Sequence, residues 1–421
     1  MRAVRSRTRP EGSETMNPQE VKLSTIDGGI TAARGFQVAA LHSGVKTDGL
    51  DLAVIASDQT ASAAGVFTTN RAVAAPVLVC QEHLERSGGI ARAIVVNSGC
   101  ANACTGTSGM AAARKMAAAA ATAFSCPTDH TLVASTGVIV LPLPIDSVTE
   151  GIMKAATRLS RTANRAAAEA IMTTAPWPKE TAVQVNTACG SFTVGGMVKG
   201  AGMIEPMMAT MLGFITTDAK IDPTSLHRAL KAVVDDTFNA ITGDGECSTN
   251  DSVFLLASGV SGVTIDDSMF PVFVAGLRSV CGTLAREIVR GGEGATKLAV
   301  IRVTGAKSKA EAKKAARVIA NSPLVKTAVH GEDPNWGRLV AAAGRSGVSF
   351  NLNRCQVRIG TAVLFADGNV FLEHEVTAAV DMRGQEVQLQ IDLGTGGLAE
   401  ATVWTSDFSA EYVRINADYR T

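Results

Sequence analysis

The chain has 421 residues, 46% apolar and 19% charged, enough to bury a large core in two or three lobes and too apolar for intrinsic disorder. Its 39 basic and 39 acidic side chains cancel, and without a basic stripe interleaved with aromatics a nucleic-acid partner is not expected. No apolar run reaches the roughly 18 residues a membrane helix needs, and the scarcity of aromatics beside abundant Ala, Gly and Val suits closely approaching layers.

Residues 1–28 open as a polar tail, MRAVRSRTRPEGSETMNPQE and onward, without apolar periodicity. It is Arg-rich at its start, but Glu11 and Glu14 weaken an organellar targeting reading. Met16 offers an alternative start. LDLAVIAS, PVLVC and ARAIVVNSG then read as strands between turn-rich ends. Thr107 to Phe124, alanine-rich and carrying Arg114 and Lys115, reads as a soluble helix, and Ile145 to Ala170 as another. DPTSLHRALKAVVDD starts a helix with Asp222 as N-cap and Pro223 in the first turn, running to Thr237. KSKAEAKKAARVIANS from Lys307 predicts an exposed amphipathic helix. CQVRIGTAVLFADG and EVQLQIDLG are late strands. The order is mixed α and β, neither doubly wound nor repeated.

The eight cysteines lie singly apart from Cys100 and Cys104. With no recognisable secretory signal they read as reduced thiols of a cytoplasmic protein. NSGCANACTG has no histidine close in sequence, so no metal site is expected there. GGEGATK has the wrong glycine spacing for a phosphate loop, GDGECSTND lacks an EF-hand's spaced ligands, and no GxSxG elbow occurs. His330 is expected to be structural.

The most informative segment runs from Val198 to Asp218, VKGAGMIEPMMATMLGFITTD. Gly200, Gly202 and Pro206 lead through small Ala209 to the hydroxyl of Thr210, and an apolar run follows. An apolar strand after a loop would read the same way. If the Ala209–Thr210 bond breaks, however, Thr210 gains a free amine. Its hydroxyl is then a nucleophile, and the amine, with an ordinary pKa of about 7.7–8.0, is a base within the same residue. The absence of a histidine-based set fits that chemistry.

KGAGMIEPMMATML resembles the signature of the ornithine acetyltransferase (glutamate N-acetyltransferase) family, whose members cut themselves before this threonine. AARGFQVAALHSGVK, ASAAGVFTTNRAVAAPV, VVNSGCANACTG, VASTGVIV, AIMTT, CSTNDS, EGATK, NSPLVKTAVHGEDPNWGR and YVRINADYRT also look like family blocks, in order from about residue 29 onward. The resemblance implies an α+β, layered αββα-type sandwich of the N-terminal-nucleophile kind, formed by interlocked fragments 29–209 and 210–421. Two copies of each would assemble. It implies an oxyanion hole from the Thr136 hydroxyl and the Gly137 backbone N–H, though Ser135-Thr136-Gly137 alone is an ordinary strand-end turn. It makes Lys199 a partner for a substrate carboxylate and Glu293 one for the ornithine ammonium. Thr174, Thr210, Asn416 and Thr421 join them as binding positions.

The reaction so implied moves acetyl from N-acetylornithine to glutamate through acetyl-Thr210, in arginine biosynthesis. Acetyl-CoA is a possible second donor, and no metal or tightly bound organic cofactor is implied. The chain departs from the family pattern at Val140, where glycine commonly follows TGVI, at Ala175, where aspartate is usual, and in WTSDFS. Two rival readings stand beside this one. A related self-processing aminopeptidase would use water as acceptor, and an uncleaved relative would serve for binding or assembly.

Overall fold

The computed structural model describes residues 21–205 and 211–418. Ala209, Thr210 and Thr421, and the tail up to residue 20, lie outside the described residues. The structure is a mixed α/β sandwich with two sheets, of nine and seven strands among the described residues. The larger sheet runs Lys22–Ile26, Lys179–Thr187, Gly190–Lys199, Leu212–Thr217, Ser252–Ala257, Leu52–Phe67, Ile90–Cys100, Thr131–Val138, and Phe36–Leu41 pairs along Leu52–Phe67. It therefore takes strands from both sides of residues 205–211. Two pairings are parallel, Leu212–Thr217 with Ser252–Ala257 and Ile90–Cys100 with Thr131–Val138, and the others are antiparallel. The smaller sheet centres on Leu298–Ala306, flanked by Glu386–Asp392 and Ala399–Ser406.

The helix Phe270–Arg290 packs on Lys179–Thr187 and Gly190–Lys199 of the first sheet and reaches Ala399–Ser406 of the second. Phe273, Leu277, Val280, Leu284 and Ile288 recur at three- and four-residue spacing and are buried, which forms one continuous apolar face. The helix Lys309–Ala320 covers the smaller sheet with Ala312, Ala315, Ala316 and Ile319. Its lysines stay outside, as the amphipathic pattern predicts.

Three expectations need correction. PVLVC is not a strand but the start of the helix Ala75–Arg86; Pro76 sits in its first turn, and Pro76, Val79, Cys80 and His83 form its buried stripe. A short apolar run carries no period of its own, so strand and helix were indistinguishable there. The helix expected from Ile145 to Ala170 is two, Ile145–Ala156 and Asn164–Ala170. Between them the chain leaves helical geometry so that Ser160 and Val38 exchange backbone hydrogen bonds of 2.8 and 2.9 Å. The expected tail is folded in its last part, because Lys22–Ile26 is an edge strand on Lys179–Thr187. By contrast Asp222 caps Pro223–Val234 as expected, accepting from the Ser225 N–H at 3.0 Å.

Candidate active site

Lys199 ends the strand Gly190–Lys199 and pairs with Leu212, which in turn pairs with Ser252. The described chain stops at Glu205 and resumes at Met211, so this row of three strands holds the residues next to the proposed cleavage position. Both ends are tied down. Asp244 accepts from the Met203 and Ile204 N–H groups, each at 2.7 Å, and Glu205 accepts from Asn321 and Thr242 at 2.6 and 2.9 Å. On the other side the Met211 N–H donates to Asp251 Oδ1 at 2.9 Å. Asp251 is buried, and desolvation pushes its carboxyl well above the ordinary range despite that bond and the opposing charge of Lys199.

Above this row opens a cavity of about 250 Å³. Thr136, Gly137, Thr174, Lys199, Glu293 and Asn416 all line it. These residues are separated in sequence by up to 280 positions, so their convergence is tertiary. Ala209, Thr210 and Thr421, the remaining expected site residues, fall outside the described residues.

Ser135-Thr136-Gly137 lies inside the strand Thr131–Val138 rather than in a turn beyond it. The parallel pairing with Ile90–Cys100 is broken at Gly99 and Cys100, where Cys100 faces both Thr136 and Val138. Gly137 takes φ 128, and a Cβ there would overlap the Gly99 carbonyl carbon, so only glycine fits. Asn250 Nδ2 donates to the Ala101 and Ser135 carbonyls at 2.6 and 2.9 Å, while Asn97 Oδ1 accepts from the Ser135 hydroxyl at 2.6 Å. Two buried asparagines thus brace the strand that carries Thr136.

Lys199 Nζ donates to Thr136 Oγ1 at 2.7 Å. Its side chain is 4% exposed, and burial pushes its ammonium down to about 8, against the attraction of Asp251 and Glu293. The amine is therefore seated on the Thr136 oxygen rather than free in the cavity.

Another part of the lining is acidic. Glu293 accepts from Thr174 Oγ1 at 2.7 Å and from Asn416 Nδ2 at 2.8 Å, and Gly202 packs so close to it that a Cβ would collide with its carboxylate. Lys46 Nζ holds the Met172 carbonyl at 2.7 Å and so fixes the segment that bears Thr174. Tyr412 donates to Asp244 at 3.2 Å, bringing the helix Ala410–Asp418 to the rim.

The sequence reading missed Asp244, Asn250, Asp251 and Tyr412. Asn250 and Asp251 lie in CSTNDS and Tyr412 in YVRINADYRT, blocks noted without a role for these residues. Asp244 lies in a segment weighed only as a calcium loop. The departures also have local accounts. Val140 takes φ 65, a backbone that glycine adopts freely and a β-branched residue does not; Ala175 is buried. Asp407 of WTSDFS accepts from the Thr296 and Lys297 N–H groups at 2.7 and 3.0 Å and lies 2.7 Å from His330 Nδ1, consistent with a structural histidine beside the Glu293 loop. Cys100 is buried and Cys104 exposed, and among the described residues no group of three or more His, Cys, Asp or Glu is arranged to hold a metal ion. No helix among them is long and apolar enough to cross a membrane.

The ArgJ family profile matches residues 37–421. The arginine biosynthesis bifunctional protein ArgJ of Symbiobacterium thermophilum is 45% identical over 405 residues, which span 95% of this chain and 100% of the relative. The protein of the same name from Dehalococcoides mccartyi is 46% identical over 405 residues, 94% of this chain and 98% of its own. The crystal structure of ArgJ from Bacillus halodurans is similar at 40% identity and a TM-score of 0.48, covering 50% of this chain and 100% of that one. On the family match and the length and identity of these relatives, the chain belongs to the ArgJ family.

Proposed function

We propose that this chain is a glutamate N-acetyltransferase of arginine biosynthesis, transferring acetyl from N2-acetylornithine to glutamate. The observation that carries the reading is the convergence of Thr136, Gly137, Thr174, Lys199, Glu293 and Asn416 on one cavity beside the two anchored ends at Glu205 and Met211. The lining carries both a positive, donor-rich part and an acidic one. That polarity suits a substrate with an amide to be attacked at one end and an ammonium at the other, and Glu293 is the natural partner for the ammonium.

The precursor cuts itself between Ala209 and Thr210, and fragments 1–209 and 210–421 remain interleaved, two of each in the assembly. Strands drawn from both sides of the cut into one sheet support this arrangement. The Thr210 hydroxyl then attacks the acetyl carbonyl of N-acetylornithine while the Thr210 amine takes the hydroxyl proton. The C–N bond breaks, the proton passes to the departing ornithine nitrogen, and acetyl remains on threonine as an ester. Glutamate's amine attacks that ester, the C–O bond breaks, and N-acetylglutamate leaves with the hydroxyl restored. The Thr136 hydroxyl and the Gly137 N–H stabilise the oxyanion in both halves. The relatives' bifunctional names support acetyl-CoA as a second donor.

Intact mass of the purified chain beside Thr210→Ala tests the reading, together with an assay that separates N-acetylglutamate from free acetate. Expected are two fragments cut before Thr210 in the wild type, an uncut variant, and acetyl recovered on glutamate. An uncut, folded wild type would remove the proposed base. Acetyl recovered only as acetate would make the protein a hydrolase.

A further inference from the structure

The two ends of the chain around the proposed cut are fastened to different sheets. Downstream, Met211 leads into the strand Leu212–Thr217 of the nine-stranded sheet and donates to Asp251, which precedes Ser252–Ala257 of the same sheet. Upstream, Met203, Ile204 and Glu205 are held from the side of the smaller sheet. Its strand Ile241–Thr242 pairs with Ala399–Ser406, and Asn321 ends the helix Lys309–Ala320 that covers it.

The hold is close. Asp244 accepts from the Met203 and Ile204 N–H groups, each at 2.7 Å, and the Gly243 N–H donates to the Ile204 carbonyl at 2.7 Å. The buried Thr242 hydroxyl lies 3.0 Å from that carbonyl, 2.9 Å from Glu205 Oε2 and 2.6 Å from Asn321 Oδ1. Asn321 Nδ2 completes the triangle by donating to Glu205 Oε2 at 2.6 Å. Met203 meanwhile takes φ 58, a left-handed backbone unfavourable for a residue that carries a side chain. Such conformations persist where the surroundings over-determine them, and here Asp244 does so.

We propose that Thr242, Asp244 and Asn321 are positioning residues of self-cleavage, holding the chain before the cut while Asp251 holds it after. This inference rests on the self-cleaving reading above. In that step the Thr210 hydroxyl oxygen attacks the Ala209 carbonyl carbon, the Ala209–Thr210 C–N bond breaks, and the hydroxyl proton passes to the freed nitrogen. Water then splits the resulting ester, its hydroxyl going to the Ala209 carboxyl and its hydrogen to the Thr210 oxygen. The reacting atoms belong to neighbouring residues, so the rate depends on how often the backbone brings them into line. Fixing both ends narrows that search. All three residues lie after the cut and grip residues before it. Once the bond is gone, the gripped arm no longer shares a backbone with the nucleophile, so Thr242 and Asn321 bear on processing and not on acetyl transfer.

The test follows full-length Thr242→Val, Thr242→Ser, Asn321→Ala and Asp244→Asn beside the wild type. Intact mass against time gives the cleavage rate, thermal melting reports folding, and kcat is expressed per cut chain. Thr242→Val keeps the shape without the donor, and Asp244→Asn can turn an amide N–H against that of Met203. These two and Asn321→Ala are expected to cut between about tenfold and a hundredfold more slowly. Thr242→Ser, which keeps the hydroxyl, should stay within about threefold of the wild-type rate, and kcat and KM per cut chain should stay within about twofold in Thr242→Val and Asn321→Ala.

A slowing of less than about threefold in Thr242→Val, Asn321→Ala or Asp244→Asn would overturn the inference. So would slow cleavage of Thr242→Val matched by an equal fall in its kcat per cut chain, which marks general damage to the fold. If Thr242→Val stays uncut, the serine variant decides: a cut Thr242→Ser supports the inference and an uncut one overturns it. If Thr242→Val does not melt cooperatively, Glu205→Gln, at a side chain 17% exposed, is judged by the same criteria. A wild type that does not cut would sink the self-cleaving reading instead, and shows it without any variant.

Discussion

The two walls of the cavity are built on opposite plans. The wall with Thr136, Gly137 and Lys199 is built on strands of the nine-stranded sheet, Thr136 and Gly137 on its edge strand, and is braced by buried Asn97 and Asn250. The acidic part of the lining ends in the helix Ala410–Asp418, which contributes no buried residue. It is held to the cavity by Tyr412 on Asp244, Asn416 on Glu293 and Ser409 on the Gly294 carbonyl. Donors that stabilise a transient oxyanion work best when they do not reorganise during reaction. A wall that grips a flexible ammonium chain needs less rigidity and gains from being able to adjust.

The comparison breaks most visibly at Gly137. Gly137→Ala forces a Cβ into the Gly99 backbone at a φ that disfavours any side chain, so a loss of about 3 kcal/mol or more is expected. Denaturant unfolding reads it, and acetyl transfer should vanish. Next is Asn250→Ala, which orphans the Ala101 and Ser135 carbonyls and should cost about 2–3 kcal/mol. A melting temperature equal to the wild type's would mean that the braced wall is not braced by Asn250.

A pH series sharpens the same contrast. Burial lowers the ammoniums of Lys179, Lys199 and Lys326 to about 8, from the usual 10.5. Between those values the unfolded chain holds more protons than the folded one, so these groups make stability rise with pH from about 8 to about 10.5. Melting curves through that window check the rise, and a stability that falls steadily across it would contradict it.

On the acidic part of the lining, Asn416→Ala should change stability by no more than about 1 kcal/mol yet raise KM for acetylornithine about tenfold, which corresponds to about 1.4 kcal/mol of binding. An unchanged KM would deprive this wall of its recognition role. The smallest effect belongs to Val140→Gly. It relieves a β-branched residue at φ 65 that is 55% exposed, and should stabilise by about 0.5–1 kcal/mol after the entropic cost of glycine. No gain in thermal melting would show that the surrounding loop already absorbs the strain.

Local chemistry made several elements legible. The Asp222–Pro223 start, the alanine-rich helix Gly106–Phe124 and the alternation of Glu386–Asp392 each carry a signal within one or two turns of chain. PVLVC misled because five apolar residues fit either period, and the break between the helices Ile145–Ala156 and Asn164–Ala170 is dictated by Val38, more than a hundred residues away.

The site divides in the same way. The motif residues themselves, and the class of chemistry a Thr with a freed amine would perform, were determined by the sequence, because a catalytic group is a residue type at a fixed chain position. Lys199 shows what it could not determine. A lysine near a glycine-rich loop reads as a charge for a ligand, and its contact with the Thr136 oxygen came only from the register with Leu212 and the pairing of Thr131–Val138 against Ile90–Cys100. Which partner a side chain meets across the fold is settled by strand order and burial. Those depend on every strand in the sheet at once, and no single segment encodes them.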